Sequence, residues 1–299
     1  MKQLLILSGK GGTGKTTVAS AFIKLSEAKA YADCDVDAPN LHLIMDWVSA
    51  PLTTDYYGLA KAVIEREQCI NCDLCRVHCR FAAINAGEFY EVNPYDCEGC
   101  GVCKYICPAD AIKMKPHIAG ELALYSETAK VFSTAKLKIG SGNSGLLVTA
   151  VKQAMLAPEI DSELAIIDGS PGIGCPVIAS LNGVDMVLIV AEPSVSGFSD
   201  MERIIRTARM FGLKIAVCIN KFDVNIEITK EIESFCRVQN LPAIGRIPFD
   251  SAAVKALNDG QTIVDIDCAA STAVRSIYQS VLDLLFTECS VISNQDYFG

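Results

Sequence analysis

Cys69, Cys72, Cys75 and Cys79 follow one another in a C-x2-C-x2-C-x3-C run, and Cys97, Cys100, Cys103 and Cys107 repeat that spacing before Pro108. Thiols this close can wrap one inorganic centre, and both iron–sulfur clusters and tetrahedral zinc use C-x2-C pairs. A zinc knuckle takes two thiols per segment, whereas each run here supplies four, so iron–sulfur chemistry is expected. Near the N-terminus, Gly9-Lys10-Gly11-Gly12-Thr13-Gly14-Lys15-Thr16 fits G-x-x-x-x-G-K-[ST]. Such a loop curls backbone N–H groups around a phosphate and adds the positive end of the following helix. Lys15 can then reach the outer phosphates and Thr16 can ligate Mg²⁺, with Thr17 completing the binding segment.

The phosphate loop needs a strand before it and a helix after it. QLLILS (3–8) is an apolar run short enough for a buried parallel strand, and TTVASAFIKL has helical spacing. KAYADCD ends a second strand near Asp35, and ELAIIDGSP, DMVLIVAEP and LKIAVCINK are later apolar runs. Helical stretches such as GFSDMERIIRTARMFG separate them. This alternation predicts an α/β fold: a mostly parallel sheet, helices on both faces, ligands at the C-terminal strand ends. AVRSIYQSVLDLLF is expected to dock as a terminal helix. Asp283, Glu288 and the lack of Lys argue against an amphipathic membrane helix there. The pattern breaks between about Gly58 and Lys115, where the chain is rich in Cys and turns. KAVIERE and GEFYEVNP read as short hairpin strands, and AIKMK would close the unit. The expected organisation is a nucleotide-binding domain over 1–57 and 116–299, interrupted by a small α+β metal-stapled domain over 58–115.

The 299 residues are 51% apolar with a net charge of −9. That balance opposes non-specific nucleic-acid binding and a polybasic membrane anchor. No segment approaches the roughly 20 uninterrupted apolar residues of a bilayer span, and Leu4 to Leu7 is too short for a signal peptide. A cytoplasmic protein is expected, without nucleic-acid or membrane partners. In that compartment 14 cysteines seldom mean disulfides.

Several further residues carry a family resemblance. Lys10 in the phosphate loop, Asp33 and Asp35 in DCDVDAPN, Asp168 in DGSPGIG and Asn220, Lys221 and Asp223 in INKFD together resemble the MinD/ParA/nitrogenase-iron-protein group of P-loop ATPases. The resemblance implies an ATP-dependent homodimer in which Lys10 reaches the partner's nucleotide. It implies that Asp35 orients the attacking water and that Asp168 holds Mg²⁺ through water. Asn220, Lys221 and Asp223 would recognise the base, and Pro248 in IPFD would add backbone contacts beside adenine. NKFD also reads as the guanine-recognition tetrad of GTPases, but Lys10 and Asp35 favour ATP.

The cysteine spacing resembles the bacterial ferredoxin run, in which the fourth cysteine of each run ligates the other cluster. That implies one [4Fe–4S] cluster on Cys69, Cys72, Cys75 and Cys107, and a second on Cys97, Cys100, Cys103 and Cys79. Arg80 stands where the first run usually has Pro, which is expected to alter the turn without removing a ligand. The whole chain thus resembles MinD-superfamily ATPases with an inserted 2[4Fe–4S] ferredoxin domain. The implied function couples ATP hydrolysis to electron delivery or metallocluster assembly with a protein partner. Two other classes stand beside it. An Mrp-like iron–sulfur carrier would use a C-terminal Cys-Pro-x-Cys pair, which Cys268 and Cys289 do not form. A MinD/ParA-type positioning ATPase would act on membrane or DNA, against which the acidic charge counts. In the nitrogenase iron protein, a cysteine seven residues past the Asp168 position holds a shared cluster. Cys175 has that spacing, but no cysteine lies between Cys107 and Cys175 to accompany it. Cys175 is therefore expected to pack, as are Cys34, Cys218 and Cys236.

Overall fold

The computed structural model describes residues 1–45 and 47–287; Glu288 and Cys289 lie outside the described residues. The chain begins β1 (Lys2–Leu7), α1 (Lys15–Ser26), β2 (Ala30–Asp33) and β3 (Leu52–Tyr57). The cysteine-rich stretch follows as β4 (Lys61–Ile64), α2 (Leu74–Val77), β5 (Ile84–Asn85), β6 (Glu91–Val92), α3 (Val102–Ile106) and β7 (Ile112–Lys115). Next come β8 (Ile118–Glu127), β9 (Lys130–Leu137), α4 (Ser144–Leu156), β10 (Leu164–Asp168), α5 (Cys175–Leu181) and β11 (Met186–Ala191). The chain continues through α6 (Val195–Met210), β12 (Lys214–Asn220), α7 (Ile226–Val238), β13 (Ala243–Ile247), α8 (Ser251–Asn258) and α9 (Ala269–Phe286).

Nine strands form one sheet in the order β13-β12-β11-β1-β10-β2-β9-β8-β3. All pairs from β13 to β9 are parallel, while β9–β8 and β8–β3 are antiparallel. The uninterrupted apolar runs follow from burial on both faces. Leu5 and Leu7 enter one core with residues of α4, α5, α6 and α7, whereas Leu4 and Ile6 enter the other with α1 and α9. Asp33 and Asp168 stand in register at the C-terminal ends of neighbouring strands. The phosphate loop leaves β1 beside them, between strands that continue the sheet in opposite directions, which is where ligands bind in open α/β sheets.

The β3–β8–β9 edge does not appear among the strand signals in the sequence. β3 is exposed along most of its length and β8 is only partly buried, so neither reads as a core run. Trp47, Tyr125 of β8, Phe132 of β9 and Tyr31 of β2 form one aromatic cluster, with contacting ring centroids 5.0–6.2 Å apart.

The cysteine stretch builds its own two small sheets, β4–β7 and β5–β6, both antiparallel and separate from the main one. Each cysteine recurs 28 positions on (69 to 97, 72 to 100, 75 to 103, 79 to 107). The backbone repeats with it. Asn71 and Gly99 (φ 53° and 70°), Asp73 and Gly101 (62° and 76°), and Ala82 and Asp110 (49° and 48°) are left-handed pairs at the same offset. Arg80 leaves the turn unchanged, contrary to the sequence expectation. The N–H of Ala82 donates to the Cys79 carbonyl at 3.4 Å, as Asp110 does to Cys107 at 3.3 Å. The same turn forms with Arg at its second position in one run and Pro in the other, and a left-handed residue follows it in both, so Pro after the cysteine is not required.

Candidate functional site

A cavity of about 440 Å³ opens above the C-terminal strand ends. Lys10 to Thr17, Asp35, Asn220, Lys221 and Pro248 line it. Gly14 adopts φ 92° and has no room for a side chain, because a Cβ there would meet Asn220 Nδ2 at 2.2 Å. That amide donates to the Thr13 carbonyl at 2.6 Å, and Lys221 Nζ donates to the Gly12 carbonyl at 2.9 Å. Asn220 and Lys221, expected at the base, line the cavity and also brace the phosphate loop. The Thr13 hydroxyl is buried beside them with no hydrogen-bond partner among the described residues.

Lys15 and Asp168 form a buried ion pair at 2.5 Å, with side chains 5% and 0% exposed. Thr16 Oγ1 donates to the other Asp168 oxygen at 2.7 Å. One carboxylate thus positions both the phosphate-reaching cation and the hydroxyl suited to Mg²⁺. Lys10 Nζ lies 2.8 Å from Glu192 Oε2 and donates to Ser194 Oγ at 3.0 Å, so it folds back on its own chain. Glu192 also meets Lys221 at 3.3 Å. Burial of Glu192 opposes ionisation, but hydrogen bonds from Lys10 and Lys221 outweigh it and hold the carboxyl below its usual range.

The two aspartates after β2 divide their work. Asp33 is fully buried and accepts the N–H groups of Asp35, Asn40 and Leu41, each at 3.0 Å, which fixes the loop 34–41. Burial first, then the charge of Asp168, pushes its carboxyl up to about 7, against the pull of these N–H groups and Lys15. Asp35 faces the cavity; burial raises its pKa and Lys15 lowers it in part.

Two expected ligand residues stand elsewhere. Gly9 packs against Asp200 of α6, where a Cβ would come within 2.3 Å, and does not line the cavity. Asp223 is exposed, accepts the N–H of Phe249 at 2.8 Å and is not among the residues that line the cavity. The apolar wall of the cavity instead includes Phe249, Val254 and Leu257. Phe249 adjoins Pro248 in the IPFD segment, whereas α8 carries no motif that marks it from the sequence.

The eight clustered thiols divide between two small cavities. Cys69, Cys72, Cys75 and Cys107 line one, with Ile64, Tyr90 and Ile112. Cys79, Cys97, Cys100 and Cys103 line the other, with Val92, Ala62 and Ile84, the residues displaced by 28 positions from those three. No three His, Cys, Asp or Glu side chains among the described residues converge on a point that would hold a single metal ion. Ala62, Ala83, Cys97 and Ile112 form the small buried apolar cluster of this unit, and Cys75, Cys79, Cys103 and Cys107 pack against them.

Of the lone cysteines, Cys34, Cys218 and Cys236 are buried, and burial pushes the first two thiols up to about 12. Cys175 is exposed at the first turn of α5, so it does not pack as expected. Cys268 accepts the Ser271 N–H at 3.3 Å as the N-cap of α9.

Comparisons with known proteins agree with this geometry. The chain is 32% identical over 288 residues to an uncharacterized protein of Methanocaldococcus jannaschii, covering 95% of this chain and 97% of that one. A 57-residue stretch, 18% of this chain and 24% of the relative, is 40% identical to dihydromethanopterin reductase (acceptor) of Methanosarcina mazei. In fold it is similar to the septum site-determining protein MinD complexed with Mg-ADP from Pyrococcus horikoshii. That match has a TM-score of 0.56 at 17% identity over 97% of this chain and 99% of that chain. The CobQ/CobB/MinD/ParA nucleotide binding domain matches residues 4–263, around a phosphate loop whose lysine and threonine meet at Asp168, and the chain belongs to that family.

Proposed function

We propose that this chain is an ATP-hydrolysing iron–sulfur protein whose nucleotide-driven homodimer switch is coupled to electron transfer or metallocluster assembly with a protein partner. Residues 58–115 are read as an inserted 2[4Fe–4S] ferredoxin unit, and 1–57 with 116–299 as the ATPase domain. The observation that carries the reading is the sorting of eight thiols into two cavities, each taking three from one run and the last from the other. A tetrahedral zinc would draw its four sulfurs to within roughly 3.8 Å of one another. Four thiols spread around the walls of a cavity suit a cubane, where each sulfur meets a different iron. The thin core of the unit also calls for an inorganic staple. Bound clusters supply one-electron redox capacity. The reductase relative is consistent with that chemistry.

At the nucleotide site, the amides of Gly11 to Gly14 and the Lys15 ammonium would bind the phosphates. Thr16 would ligate Mg²⁺ and Asp168 would hold it through water, consistent with the Mg-ADP of the MinD neighbour. Asp35 would orient the attacking water, and Lys10, once released from Glu192, would reach the partner's nucleotide. Lys10 and Asp35, as in the ATPase group that the chain resembles, favour ATP over GTP.

Coupling has a physical route in the loop 138–143. Its leading end is tied to the loop after Asp35, where the Leu137 N–H donates to the Val36 carbonyl at 2.9 Å. Its far end enters α4, where a Cβ on Gly145 would meet the Cys175 carbonyl oxygen at 3.1 Å. Between them, Cβ atoms on Gly140 and Gly142 would meet Tyr95 Cδ1 at 2.9 Å and Glu98 Oε2 at 2.5 Å, beside Cys97. Motion at either side of the nucleotide site would therefore press on the second thiol cavity.

The testing experiment is anaerobic purification, then EPR of the reduced protein with and without MgATP, together with an ATP hydrolysis assay. A spectrum unchanged by MgATP, with the protein partner present, refutes coupling. The likeness to MinD supports a second reading, an ATP-dependent positioning protein. Co-sedimentation with liposomes or DNA only in ATP would select it. Transfer of iron to an apo acceptor would select the Mrp-like carrier, although Cys268 is engaged as a helix cap.

A further inference from the structure

Lys61 is a buried cation without a counter-ion. It opens β4, is 7% exposed, forms no ion pair among the described residues, and its ammonium donates to the backbone carbonyl of Cys97. A lone buried charge is costly unless an opposite charge is near. The fold presses the lysine against the loop that wraps the second thiol cavity. A Cβ on Gly99 would meet the Ala60 carbonyl oxygen at 2.6 Å, and Ala62, the next residue along, lines that cavity. The 28-residue repeat supplies an internal control. The counterpart of Lys61 beside the first cavity is Phe89 (61 plus 28), an exposed ring with Arg66 stacked 4.8 Å above it.

We infer that Lys61 is a potential-setting residue that makes the cluster held by Cys79, Cys97, Cys100 and Cys103 the easier of the two to reduce, and so the preferred resting place of a transferred electron. This rests on the iron–sulfur reading above and deepens it. A fixed positive charge lowers the electrostatic cost of adding an electron nearby, and net charge and hydrogen bonding are the protein's controls on cluster potential. One electron comes from an external one-electron donor of low potential and leaves to a one-electron acceptor. No bond is made or broken. The favoured cluster is also the one that the loop 138–143 touches, at Glu98.

The test uses the full chain, purified anaerobically as wild type, Lys61→Met, Lys61→Gln and Lys61→Arg, with iron and sulfide counted first. EPR during dithionite titration measures how the electron divides between the clusters, the signals being assigned with Cys72→Ser and Cys100→Ser. Loss of the charge should reduce the second cluster's share relative to the first by about tenfold, which is 59 mV for a one-electron couple. Lys61→Arg should keep the wild-type ratio. Lys61→Gln retains a donor to Cys97 and decides the matter if Lys61→Met fails to assemble. Full iron content with an unchanged ratio in Lys61→Gln overturns the inference alone. A chain that takes up no iron overturns the iron–sulfur reading, and the inference with it.

Discussion

Lys10 Nζ sits 2.8 Å from Glu192 Oε2 of the same chain, and 3.0 Å from the Ser194 hydroxyl. A lysine that serves a partner's nucleotide must first leave this site. Lys10→Ala should abolish the MgATP-induced dimer while leaving the monomer folded, as read by light scattering and circular dichroism. Glu192→Gln should ease release. The pair is 35% and 21% exposed, and partly screened pairs contribute roughly 0.2–1 kcal/mol, so the ATP midpoint for dimerisation should fall by no more than about fivefold. Dimerisation unchanged in Lys10→Ala would refute the cross-subunit role.

Asp168 and Asp35 should separate stability from catalysis. Asp168→Ala leaves Lys15 buried without its partner and should destabilise the fold by about 3–5 kcal/mol in urea unfolding. Asp35 is half-buried at the cavity wall and accepts nothing that holds the fold together beyond its own loop. Asp35→Ala should abolish hydrolysis while ATP binding and the unfolding midpoint persist.

Asp33 gives a pH signature. Its folded pKa, about 7, exceeds the ordinary 3.8, so the native state binds this proton more tightly than the unfolded chain. Its stabilising contribution is complete below pH 3.8 and is lost as pH rises through about 7. Asp33→Asn should flatten that part of the stability profile between these limits, measured by urea unfolding at each pH. An equal slope in both proteins would contradict the burial argument.

Gly142 tests the coupling loop. Gly142→Val would collide with Glu98. It should leave basal ATP hydrolysis intact and remove the MgATP-dependent change in the EPR signal of the second cluster. Adding Glu98→Ala should restore that change.

The chemistry of this chain was legible where geometry is local. β1, β2, β10, β11 and β12 announced themselves because burial on two faces leaves little room for polar residues. The phosphate loop has a fixed spacing because backbone must curl around a compact group, and the cysteine runs repeat a fixed spacing of their own. β3 and β8 were missed because partly exposed strands carry no such run, and β9, although buried over residues 131–135, because Ser133 and Thr134 interrupt its apolar run. Glu192, Phe249 and the loop 138–143 were invisible for another reason. Each acquires its role from a partner far away in sequence, as Glu192 does from Lys10 and Gly142 from Glu98. The hydrogen bond from the Phe249 N–H to Asp223 was not legible either, because NKFD fixes residue order but not the backbone that meets the carboxylate.

The most direct measurement is the inorganic content of the full chain purified without oxygen, followed by EPR on adding MgATP. About eight irons and eight sulfides per chain, with one cluster signal altered by nucleotide, are the predicted result. Stoichiometric zinc, no acid-labile sulfide and no iron uptake on reconstitution would contradict it.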